Sequence, residues 1–146
     1  MKKGETVTSP SDSSITLMEY ALGQEQLEHI ERILQKDIIN IGAHFVMLID
    51  MAGNVIALCD NGKTRIDAYS LAALAAANFG AVEAMARLVG ESEFSLLFHK
   101  GEQESLHFYK ITSDLLLITL FGRDITLGLL RMKAADTARR IREIWK

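Results

Sequence analysis

The stretch SLAALAAANFGAVEAMARLV, residues 70–89, constrains this chain more than any other. Read as a helix, it is apolar around almost its whole circumference. Such a helix must be buried on more than one side. A sheet beneath it covers one side only, so the opposite side needs a second surface. The bulky residues Leu71, Leu74, Phe79, Val82, Met85 and Val89 are expected to face the sheet. The small residues Ala76, Gly80 and Ala84 recur every four positions, with Ala73 and Ala77 beside them. Alanine alone could be a propensity choice, since it is the best helix former. Gly80 argues otherwise, because glycine costs about 1 kcal/mol against alanine in a helix interior. Small side chains in register let another backbone come close, so Ala73, Ala76, Ala77, Gly80 and Ala84 are the expected interface stripe. Asn78, Glu83 and Arg87 interrupt the run before it reaches the ~20 residues of a bilayer span, and no membrane insertion is expected.

The rest of the chain must supply the remainder of one core, and the composition allows it: 49% of the chain is hydrophobic and 24% charged. A net charge of −3 gives no reason to expect nucleic acid as a partner. The single cysteine, Cys59, excludes an intrachain disulfide and a four-cysteine zinc site, and the expected compartment is the reducing cytoplasm. Residues 1–14 read as a disordered polar tail that carries the only proline, Pro10, leaving 15–146 as the domain. The lead-in ITLMEYAL (15–22) is compatible with either an extended segment or a helical one.

The pattern then becomes regular. Leu27, Ile30, Leu34, Ile38 and Ile41 are spaced by three and four, which is one face of an amphipathic helix ended by Gly42. AHFVMLID and NVIALC read as a hairpin joined by Met51, Ala52 and Gly53. Asp67 is a good N-cap for the apolar helix, and Gly90 a natural left-handed residue past its end. FSLLFH (94–99), SLHFYKI (105–111) and LLLITLF (115–121) are separated by short turns, as in an antiparallel meander. A last helix carries Leu127, Leu130, Ala134, Ala138, Ile141 and Trp145 on one face, with Arg139, Arg140, Arg142 and Lys146 near its C-terminus, where cations favour the helix dipole. The predicted fold is α+β, in the order αββαβββα. One five-stranded antiparallel sheet has the first and last helices on one face and the middle helix on the other.

The search for chemistry is short. NGKT (61–64) resembles the end of a phosphate loop, but Ala57 stands where that motif needs its first glycine, so a solvated turn is expected. His99 and His107 lie on adjacent predicted strands and could approach each other, yet no third ligand has zinc-like spacing. No serine sits in a nucleophile elbow. Glu91 and Glu93 flank a helix end without a desolvated pocket. No catalytic residue, cofactor or metal is assigned. The strand FSLLFH carries few charges to blunt pairing at a sheet edge, which adds Phe94, Leu96 and Phe98 to the expected interface.

At this point the sequence resembles a known family. IGAHFVMLIDMAGNVIA is similar to the first hairpin of roadblock domains. GESEF, LFHKG, TLGLLRMK and the alanine-rich helix with Asn78 in it resemble the variety typified by MglB, the bacterial partner of the Ras-like GTPase MglA. The resemblance covers about residues 20–145. It implies a homodimer in which the middle helices pack together and the third strands join two sheets into one. It further implies binding of a small Ras-like GTPase of the MglA type, whose hydrolysis is stimulated by reshaping the GTPase's own active site, in a setting of cell polarity and motility. A catalytic arginine is not implied, so Arg123 is a poor candidate for one. The same family contains adaptors, and a scaffold without effect on GTP turnover is the alternative expectation.

Overall fold

The computed structural model describes residues 22–94 and 97–145. Within them the chain alternates as the patterning requires: α1 Gln24–Leu34, continued by a π-helical turn Gln35–Ile39, then β1 Phe45–Asp50, β2 Val55–Asp60, α2 Ala68–Leu88, β3 Leu97–Lys100, β4 Ser105–Thr112, β5 Leu115–Phe121 and α3 Leu127–Trp145. The tail 1–14, the lead-in up to residue 21 and Leu96 lie outside the described residues.

Local signals set most boundaries. At the start of α2, Ser70 donates its backbone N–H and its hydroxyl to the Asp67 carboxylate, at 3.1 and 2.6 Å. Gly90 follows the helix with φ +89°, as a left-handed residue there must. The first helix differs from a plain amphipathic helix. Its last turn widens to a π turn, in which Asn40 donates to the Gln35 carbonyl at 2.9 Å. The wider turn brings two consecutive residues, Ile38 and Ile39, into the core. Gly42, at φ +120°, then closes the helix by donating to the Ile39 carbonyl.

The strands form one antiparallel sheet in the order β2-β1-β5-β4-β3. The central strands β1 and β5 are buried along almost their whole length. Helices cover both faces there, which is why neither strand shows polar alternation. On one face α1 and α3 pack Ile30, Leu34, Leu130 and Ile141 against Val46, Leu48 and Leu117. On the other, α2 packs against Phe45, Met47, Ile49, Phe108, Leu116 and Ile118.

The rotation of α2 about its own axis overturns the expected inner face. Its buried residues are Ala72, Ala75, Ala76, Phe79 and Ala86. Leu74, Met85 and Val89, expected inside, are 69%, 52% and 69% exposed, while Leu71 and Val82 are half-buried. The physical reason is volume. The sheet already supplies large side chains on this face, so small residues beneath the helix let it sit close, and one aromatic, Phe79, fills the remaining gap. By length and composition α2 is also apolar enough to cross a membrane, despite its interrupting polar residues. Here it is one layer of the fold, with those five residues against the sheet.

The cations of α3 are used inside the domain. Arg140 pairs with Asp37 in the π turn of α1, Arg142 donates to the Ile111 carbonyl at 3.0 Å, and Arg139 pairs with Asp136 one turn earlier. The first two fasten α3 to its neighbours, a larger role than complementing a helix dipole.

Candidate functional site

The outer face of α2 is the most unusual surface of the domain. Ala73, Leu74, Ala77, Gly80, Ala81, Ala84, Met85 and Leu88 are all exposed. Leu88 reaches 85%, and Val89 and Phe94 extend the surface into the connection to β3. The helix has 21 residues, so this face runs for about 31 Å. The charged residues of α2 are Glu83 and Arg87. Glu83 is half-buried and turned away from this face, and its carboxylate accepts a hydrogen bond from Lys110 Nζ on β4 at 2.9 Å. A long apolar surface of this kind marks an interaction site rather than an ordinary solvent face.

The expected interface residues fall into three groups. Ala73, Ala77, Gly80 and Ala84 are exposed on this face, with nothing within 4 Å of where a Gly80 β-carbon would stand. Ala76 is not part of it: it is buried against the sheet. Residues four apart turn by about 40° around a helix axis, so Ala76, Gly80 and Ala84 spiral from the inner flank to the outside and do not form one straight stripe. On the edge strand side, Phe94 is 46% exposed beside the end of α2. Phe98 points the other way, stacking on Phe121 at 5.8 Å over the α1/α3 side of the sheet. Its ring is therefore a support for that core, not an extension of the α2 face. Sequence reasoning missed Leu74, Met85, Leu88 and the 68%-exposed Tyr69 as outward residues. On a helix apolar all round, no amphipathic signal could have found them.

Three contacts fix α2 against the sheet. Gly53, in the β1–β2 turn at φ +90°, lies under Ala72 and Ala73. Asn78 Oδ1 is 3.1 Å from His99 Nε2 on β3. Glu83 holds Lys110, which also reaches Glu93 at 3.5 Å. Hydrogen bonding to Glu83 raises the Lys110 pKa and keeps the ammonium charged.

The described residues offer little for catalysis. His99 and His107 do not converge: His99 packs edge-on to Phe108 on the α2 side, whereas His107 is buried on the opposite face near Arg131. No group of three or more His, Cys, Asp or Glu among the described residues is placed to hold a metal. Burial, with Glu31 and Asp60 nearby, pushes the Cys59 thiol up, away from a reactive thiolate. NGKT is a turn in which Asp60 and Asn61 accept from the backbone of Gly62 and Lys63, at 2.6 and 2.9 Å. Arg123 donates twice to the Glu102 carbonyl, at 3.2 and 3.0 Å, and its guanidinium is thereby tied to the chain's own β3–β4 turn.

Comparison with known proteins identifies the fold and the family. Three MglB structures share the fold. One, described as MglB with a tetrameric arrangement, is 27% identical with a TM-score of 0.78, over 84% of this chain and 92% of that one. MglB of Myxococcus xanthus is 30% identical with a TM-score of 0.74, over 80% of this chain and 94% of its own. The gliding protein MglB of Thermus thermophilus is 26% identical with a TM-score of 0.77, over 84% and 93%. A search of curated protein sequences gives no match. The family model for the Roadblock/LC7 domain matches residues 40–121, from just before β1 to the end of β5 and across the whole of α2. That is more than half of the chain, and the chain belongs to the Roadblock/LC7 domain family.

Proposed function

We propose that this protein is a homodimeric regulator that binds a small Ras-like GTPase of the MglA type and stimulates its GTP hydrolysis. The observation that carries the reading is the outer face of α2. A second copy, packing helix on helix across Gly80 and its alanine neighbours, would cover Leu74, Met85 and Leu88. Glu83, already paired with Lys110, would bring no unpaired carboxylate into that contact. The likeness to MglB supports the choice of partner. The tethering of Arg123 supports a mechanism in which the GTPase supplies its own catalytic groups and this protein shapes them. The test is GTP turnover by a Ras-like GTPase of the MglA type with and without this protein, beside sedimentation of the protein alone over micromolar concentrations. The expected results are a dimer and a faster turnover. A clean monomer at every concentration rejects the dimer. Stable binding without faster turnover selects an adaptor instead.

A further inference from the structure

A helix that is apolar all round has no amphipathic preference to set its rotation. The small residues beneath α2 fit the large side chains of the sheet, and polar contacts add to that packing in holding which face meets solvent. Two polar contacts tie the helix to the neighbouring strands β4 and β3. Asn78 meets His99 of β3. Glu83 meets Lys110 of β4, with side-chain exposures of only 21% and 31%. Glu83 lies among the apolar residues of this layer, and without Lys110 it would be a half-buried carboxylate lacking its counter-charge. A shift of the helix that took Glu83 toward water would also move Met85 and Leu88, which stand on the same helix. Lys110 also reaches Glu93, at 3.5 Å, in the connection that carries Val89 and Phe94. One ammonium therefore ties both the rotation of α2 and the segment beyond it to β4.

We propose that Lys110 is a positioning residue for self-association: through Glu83 and Glu93 it holds in place the apolar face that α2 presents to a second copy. Lys110 itself lies off that face. The inference rests on the self-association reading above. Its test compares the dissociation constant of the dimer, by sedimentation, with folding, by circular dichroism, in the full chain. Lys110→Met is expected to weaken the dimer at least tenfold while the protomer keeps its helical signal. Lys110→Arg and the reversed set Lys110→Glu with Glu83→Lys and Glu93→Lys are expected to return it to within threefold of the native value. A folded Lys110→Met protein that dimerises within threefold of native overturns the inference. Where Lys110→Met does not fold, the reversed set decides: restored association supports the inference, and a reversed set that does not associate, folded or not, overturns it. A native chain that is monomeric throughout rejects the self-association reading itself, a result separate from any of the variants.

Discussion

Gly53 and Ala73 are so close that a β-carbon on Gly53 would stand 2.9 Å from the Ala73 α-carbon. The first hairpin turn thus lies directly beneath the helix that carries the candidate interface. Gly53 also holds φ +90°, a region that side chains rarely adopt. Gly53→Ala combines both penalties and is expected to lower stability by about 2 kcal/mol or more. Gly80→Ala meets open space in a helix interior and is expected to raise the stability of the isolated protomer by up to about 1 kcal/mol. Urea unfolding of both variants checks the contrast, and equal effects would contradict it.

The rotation of α2 makes three charge insertions informative. Leu74 is exposed and Phe79 is buried against Phe45, Phe108 and Ile118. Leu74→Arg and Gly80→Arg are expected to leave a folded protomer that no longer self-associates. Phe79→Arg is expected to give an insoluble or unfolded chain, because it forces an unpaired charge into the core. Circular dichroism and sedimentation separate the outcomes. An unfolded Leu74→Arg protein would place that residue in the core after all.

Acid should act through His107. Burial, with positive Arg131 nearby, lowers its pKa from 6.5 to about 4. A histidine that resists protonation when folded stabilises the fold fully above the unfolded pKa of about 6.5. That contribution is lost as pH falls from about 6.5 toward 4. At about 1.4 kcal/mol per pH unit the whole difference is about 3.5 kcal/mol. His107→Leu is expected to flatten this part of the stability–pH curve. Parallel curves for native and variant between pH 7 and 4 would show that His107 is not the group responsible.

Asp37 and Arg140 join the π turn of α1 to α3, with Asp37 side-chain exposure at 13% and Arg140 at 37%. Removing one member leaves the other without its counter-charge. Arg140 is partly in water, which reduces the penalty for the arginine, so Asp37→Ala is expected to cost about 2 kcal/mol. Asp37→Ala with Arg140→Leu is expected to recover much of that loss. Thermal melting of the single and double variants gives the coupling; strictly additive effects would mean that the pair does not act as a unit.

Most of the architecture was legible in the residues, because its signals are local. Asp67 and Gly90 bracket α2 by chemistry that needs no tertiary partner, and the continuous apolar runs of β1 and β5 announce strands covered on both faces. The element order and the division of helices between the faces follow from those runs and the short turns between them. The π turn was not legible, since an extra inward residue at Ile39 has the same local pattern as an ordinary helix end.

What the sequence determined by itself was that α2 needs two partners, since no arrangement of its residues exposes a polar face. Which side goes to the sheet was decided only in three dimensions. Phe45, Met47, Ile49 and Phe108 arrive from separate strands and together fill the space under the helix. Ala72, Ala75 and Ala76 are the side chains that fit above them, leaving Leu74, Met85 and Leu88 outside. The polar contacts that hold this setting, Asn78 to His99 and Glu83 to Lys110, join residues more than twenty positions apart. Periodicity within one helix carries no information about a neighbour that the sheet brings to it.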